Sequence, residues 1–112
     1  MSDLAALYDE ADQLKTAGDL DGAVAKLQEV LSSDENYALA HSALAVILQK
    51  MTKHEEAIEH AKKVCELEPD DPFSFTAMSV TFQRAYAGTN NMAYIQMAED
   101  AMERSRQLSQ GM

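Results

Sequence analysis

The chain has 112 residues, 19 of them acidic and 9 basic, for a formal net charge of −10 at pH 7. A field of that sign disfavours nucleic acid and anionic membrane surfaces as partners. No apolar run approaches the roughly 18 to 20 residues of a membrane span, so no membrane insertion is expected.

The N-terminal MSDLAALYDE lacks the basic and apolar regions of a signal peptide, so a cytoplasmic location is the default expectation. The length predicts one domain, 1–112, and the abundance of Ala, Leu, Glu, Lys, Gln and Met predicts helix. Cys65 is the only cysteine, which excludes an internal disulfide, and it falls at a core position of its helix, where it serves as a small hydrophobe.

Apolar spacing divides the chain into six helices. Ser2 is the expected cap of a first helix from about Asp3 to Thr16, with Gly18-Asp19 as the turn. The second helix is expected from about Leu20 to Leu31. A polar connection follows, with Asn36 as the next cap. The third runs from about Tyr37 to Lys50. Thr52-Lys53-His54-Glu55 has the form of a capping box for a fourth helix from about Lys53 to Glu68. Asp71 and Pro72 read as cap and first residue of a fifth helix, which is expected to stop near Tyr86, before Gly88 and two Asn residues. The last helix is expected from about Met92 to Leu108, with Ser109 to Met112 frayed.

The stretch from Ala38 to Asp71 organises the rest. Leu44, Ala45 and Leu48 share one helical face, as do Ala57, Ile58, Ala61, Val64 and Cys65, and Pro69 closes the stretch. A step back of about 34 residues lays Ala11, Leu14, Gly18, Ala23, Leu27, Val30 and Leu31 on Ala45, Leu48, Thr52, Ala57, Ala61, Val64 and Cys65. A step forward lays Phe75, Met78, Ser79 and Phe82 on His41, Leu44, Ala45 and Leu48. After an insertion in Ala87–Asn91 the register resumes, with Ile95, Ala98, Ala101 and Met102 on Ile58, Ala61, Val64 and Cys65. This pattern resembles the tetratricopeptide repeat, a helix-turn-helix unit of about 34 residues. The resemblance implies an all-α solenoid of three such repeats, at about 4–37, 38–71 and 72–108, with six antiparallel helices.

The sequence departs from the family pattern in places. His41 stands where the pattern prefers Trp, Glu10 where it prefers Leu, and Glu35 replaces the closing proline of the first repeat. Tyr94 occupies the crossing position held by Ala57. Shifting the register to put Ala93 there would bury Asp100, so Tyr94 is retained and a wider or tilted last helix is expected.

No catalytic, cofactor or metal site is expected. The His54-Glu55 pair and His60 share residue types with the zinc-protease helix, but that motif needs its two His four apart, and a spacing of six sends the rings to different faces. There is no glycine-rich elbow or phosphate-cradling loop. Adjacent acid pairs such as Asp9-Glu10 and Glu55-Glu56 diverge by about 100° and read as solvated faces.

The resemblance further implies a non-enzymatic interaction module whose concave groove, lined by the first helix of each repeat, binds a peptide or helix of another protein. Carried over residue by residue, the groove positions are Ala5, Tyr8, Asp12, Lys15 and Thr16 in the first repeat. The second repeat supplies Leu39, Ser42, Val46, Gln49 and Lys50, and the third Phe73, Thr76, Val80, Gln83 and Arg84. Tyr8, Leu39, Val46, Phe73 and Val80 form an apolar strip, while Lys15, Lys50 and Arg84 form a basic row. The strip also admits a packing reading, with Leu39 and Phe73 as staples of helix entry. Family members that bind chaperone tails hold a terminal carboxylate with Lys and Asn at positions occupied here by Tyr8, Asp12, Ala43 and Ala77, so that clamp is missing. The alternative is a structural subunit associating through its end faces, since Met92, Met97 and Met102 load the last helix with adaptable apolar side chains.

Overall fold

In the computed structural model, which describes residues 3–111, the chain forms α1 (Leu4–Thr16), α2 (Leu20–Ser33), α3 (Ala38–Lys50), α4 (His54–Leu67), α5 (Pro72–Thr89) and α6 (Ala93–Gln110). Each odd-numbered helix folds back on the next as a hairpin, and the hairpins stack with α2 against α3 and α4 against α5. The array measures 40 × 35 × 20 Å. Its shortest dimension is that of two helix layers, each about 10 Å thick. All-helical architecture and three tetratricopeptide-type repeats follow, as the recurrence predicts.

Small residues let the helices approach. Ala11, Ala23, Ala40 and Ala57 are buried at contacts among the first four helices, and Leu27, Val30, Leu44, Ile47 and Leu48 fill the space around them. Each of these larger side chains contributes about 1.5 to 3 kcal/mol by leaving water. A second cluster, Ile58, Phe82, Ala85 and Ala98, holds the last hairpin to α4, with Met78 and Tyr94 packed against it. The third crossing keeps the expected register. Tyr94 is half-buried with its ring 6.0 Å from that of Phe82, while Ala93 and Asp100 are exposed. Polar staples replace part of the apolar packing in this hairpin: Ser79 Oγ donates to the Ala98 carbonyl at 2.8 Å, and the Thr76 and Ser105 hydroxyls lie 2.7 Å apart.

Several helix ends differ from expectation. The expected cap Ser2 lies outside the described residues; Asp3 caps α1, its carboxylate accepting from the Ala5 and Ala6 amides. Asn36 does not cap α3, because Tyr37 takes that place and Asp34 uses its carboxylate on the Asn36 amide. The Thr52–Glu55 capping box does not form either. Thr52 adopts φ +61°, its hydroxyl bonds the Met51 carbonyl, and Lys53 is the cap residue of α4, with no side-chain cap bond. Helix α5 runs to Thr89 rather than Tyr86 and ends at Asn90 in the left-handed region. It clears the start of α4 because residue 88 is glycine, where a Cβ would collide with the His54 ring. The Asp71 cap and Pro72 at the first turn of α5 are found as expected.

Thr52 occupies the place that Gly18 holds one repeat earlier. Both follow a helix end closed by the same pair of backbone bonds, Asp19 to Leu14 and Gly18 to Lys15 in one case, Lys53 to Leu48 and Thr52 to Gln49 in the other. Gly18 takes φ +90° without a side chain to strain, whereas a β-branched residue in that region is disfavoured by about 1 to 2 kcal/mol. Thr52→Gly is therefore expected to raise stability by about 1 kcal/mol once the added flexibility of glycine is counted. Urea denaturation checks this; an unchanged or lower midpoint contradicts it.

Candidate interaction groove

The inner face carries two connected depressions. The first, about 240 Å³, lies between α1 and α3 and is lined by Tyr8, Asp12, Lys15, Ser42 and Val46, with Ala11, Leu27 and Ile47 among its floor residues. The second, about 440 Å³, lies between α3 and α5; Ser42, Val46, Gln49, Phe73 and Val80 line it, over a floor that includes Ala61, Val64 and Met78. Ser42 and Val46 border both depressions. They are joined along α3.

Exposure follows from helix geometry. On α3 the faces bearing Leu44 and Leu48 point into the core, which turns Leu39 and Val46 outward at 57% and 46% exposure. Phe73, one residue after Pro72 in the first turn of α5, is 79% exposed, more than burial in the core would allow for an aromatic there. Tyr8 is only half-exposed, its ring 6.3 Å from that of Tyr37.

The remaining anticipated positions are distributed differently. Lys50 and Arg84 are exposed, and among the described residues neither has a carboxylate within ion-pair distance. Lys15 is paired with Asp12 of its own helix at 3.4 Å. Thr76 is turned toward Ser105 of α6. Gln83 bonds Ser79 at 3.2 Å and borders the outward face of the last hairpin. Glu68 and Asp71 add an acidic rim near Phe73, which carry-over from the first helix of each repeat missed because Glu68 follows a second helix and Asp71 precedes the next. Asp71 spends its carboxylate on the Phe73 amide at 2.9 Å, and among the described residues Glu68 has no basic side chain within ion-pair distance.

One side-chain cluster was not anticipated. His41 is buried, and its Nε2 lies 2.7 Å from the Glu35 carbonyl, an obligate acceptor, so Nε2 carries the proton. The Nδ1 atoms of His41 and His60 lie 2.9 Å apart, and the tautomer that keeps the His41 proton on Nε2 leaves its Nδ1 as the acceptor for the His60 Nδ1–H. The pair ties α3, α4 and the connection between the first two repeats together. In the neighbouring repeats the corresponding positions are Leu7 with Lys26 and Phe75 with Met97. The signal was available in that register, because two His at facing positions of one hairpin must meet.

Burial holds the His60 pKa below its ordinary 6.5, with nearby His41 adding to the effect and Glu59 and Glu56 opposing it. The unfolded chain thus takes up more protons at this site as pH falls below 6.5. Stability that requires uncharged His60 is complete above that pH and is lost as pH falls toward the folded-state value. A denaturation midpoint that declines between about pH 7 and pH 5.5, with a shallower decline in His60→Gln, is the expected result; a flat wild-type profile contradicts it. Cys65, buried with its thiol 3.4 Å from the Ser74 carbonyl, is pushed up to about 11 by burial, then by Asp71 and Glu66, and is an unreactive thiol at neutral pH.

The outward face of the last hairpin forms a further groove of about 440 Å³, lined by the apolar Tyr86, Ile95 and Met102 and by Glu99 and Arg106 of α6. Ser79, Gln83, Ala98 and Met102 there correspond to Ala45, Gln49, Ala61 and Cys65 of the second hairpin, on the side where α4 meets α5. Among the described residues, no helix is long and apolar enough to cross a membrane.

Known proteins place this architecture. The fold is similar to the crystal structure of MamA, with a TM-score of 0.81 and 18% identity over 96% of this chain and 59% of that one. It is likewise similar to MamA 41-end from Desulfovibrio magneticus RS-1, with a TM-score of 0.76 and 23% identity over 95% and 56%. The chain therefore spans under two thirds of those proteins. The second tetratricopeptide domain of Spaghetti (RPAP3), solved bound to the HSP90 peptide SRMEEVD, matches with a TM-score of 0.73 and 17% identity over 94% of this chain and 91% of that one. No curated protein matches the sequence. The tetratricopeptide repeat model matches residues 14–72, more than half of the chain, and with six helices in three stacked hairpins the chain belongs to the tetratricopeptide repeat family.

Proposed function

We propose that the protein is a non-enzymatic adaptor whose inner groove binds an apolar, partly acidic peptide or helix of another protein. The repeat fold supports a protein–protein interaction module. The observation that carries the finer reading is the exposed strip of Val46, Phe73 and Val80 bordering a depression on the inner face. Apolar side chains of a partner fill such depressions and contribute most of the affinity, while charges at the rim set orientation. Lys50 and Arg84, without carboxylate partners among the described residues, favour acids flanking the apolar segment; Glu68 favours one basic or polar residue at the Phe73 end. A peptide bound to the same fold in Spaghetti is consistent with this occupant class.

The test is selection of peptides from a random display library, followed by titration. The selected segments are expected to be apolar with flanking acids and to bind in the micromolar range, as befits an interface at or below the standard size. Lys50→Glu with Arg84→Glu is expected to weaken binding about tenfold, and the wild-type affinity to fall with added salt, with little change in thermal stability. Basic consensus peptides, or binding indifferent to this double variant, would overturn the reading.

A second reading has its own observation. The open groove on the last hairpin is the repeat equivalent of the surface that receives α5, which favours association through this end face with another copy or within a larger complex.

A further inference from the structure

We propose that the outward face of the last hairpin binds a second copy of the chain, α6 against α6, antiparallel and related by a two-fold axis. This rests on the end-face reading above and supplies its partner. Ile95, Glu99, Met102 and Arg106 follow one another at steps of four, three and four residues, so they share one stripe of α6, and all four border the open groove. Glu99 and Arg106 are opposite in charge and lie almost symmetrically about Met102. A two-fold axis beside Met102 therefore sets Glu99 of each copy against Arg106 of the other, while Ile95, Met102 and Tyr86 of both copies close over the apolar centre. Arg106 already contacts Glu103 at 2.6 Å, but both side chains are more than half exposed, so that pair leaves the guanidinium free to share.

The other end of the array argues for this occupant. In the interior of the stack α3 presents Ala40, Ala43, Leu44 and Ile47 to the first repeat, and the same positions on α1 are Ala6, Asp9, Glu10 and Gln13. These are exposed, and Glu10 is held by Lys26 at 3.2 Å. A head-to-tail contact would place these acids on the apolar centre of the last hairpin, whereas two copies of the last hairpin match each other. The association closes on itself as a dimer instead of growing into a filament.

Analytical ultracentrifugation of the full chain, from about 1 μM to about 1 mM near physiological salt, tests this. A monomer–dimer equilibrium is expected, weakened at least about tenfold by Met102→Glu and several-fold by Glu99→Arg or Arg106→Glu alone. The double swap, Glu99→Arg with Arg106→Glu, is expected to restore dimerisation to within about threefold of wild type, because the pairing is merely reversed. Circular dichroism confirms that each variant keeps its helices. A monomer at every concentration overturns both the inference and self-association through this face, and so does a dimer indifferent to Met102→Glu. A dimer lost in Met102→Glu but not restored by the double swap overturns the antiparallel pairing alone and leaves the end-face reading standing.

Discussion

Ala57→Trp is expected to unfold the protein or leave it loosely packed at room temperature. Ala57 is fully buried, in the same cluster as Leu44, Ile47 and Leu48. An indole there has no void to enter, so α3 and α4 must separate, and their separation also strains the His41–His60 bond between the same two helices. Overpacking commonly costs 1 to 3 kcal/mol and can cost more; the largest side chain at a fully buried crossing is expected to cost about 3 kcal/mol or more, against the roughly 5 to 15 kcal/mol that holds a domain together. A repeat array transmits the damage, because each hairpin is stabilised only by its neighbours. Loss of a cooperative thermal transition is the expected observation, and a melting temperature within a few degrees of wild type contradicts the account of the core.

Val46→Glu is expected to abolish peptide binding while the fold survives. Val46 borders both depressions, so any ligand lying along the groove covers it. A carboxylate there must be desolvated beneath an apolar ligand, and Asp12 and Glu68 nearby would add like charge. A loss of at least about a hundredfold in affinity, about 2.7 kcal/mol, is expected. At 46% exposure in the free protein the same substitution meets water, and the melting temperature is expected to shift by only a few degrees. Retained binding contradicts the groove as the contact surface.

Much of the fold was legible because helix crossings need small residues at fixed spacing, and Ala11, Ala23, Ala45 and Ala57 recur at the repeat interval and are buried. Even the irregular third crossing could be placed, since the competing register would have buried Asp100. The helix ends were less legible because several local motifs compete for one turn. Thr52 read as a cap by its hydroxyl, yet its alignment with Gly18 marked a left-handed backbone position, and a residue held there cannot present its side chain to the following amides. Repeat register outweighs a local capping motif when the two disagree. The groove was partly legible: first-helix positions such as Ser42 and Val46 fall together, while the floor from Ala61 and Val64 comes from α4 and the acid at Glu68 from its C-cap, which positions on the first helices do not report. The His41–His60 bond was missed because His60 was weighed only against His54 of its own helix and His41 only against the Trp of the repeat pattern, without asking what faced either across the hairpin.

The central claim is that the inner groove carries the interaction, and amide chemical-shift mapping tests it most directly. Titration of the isotope-labelled chain with a display-selected peptide is expected to shift Tyr8, Ser42, Val46, Phe73 and Val80, along α1, α3 and α5. Shifts confined to Ile95, Glu99, Met102 and Arg106 of α6, with the groove unmoved, would contradict it.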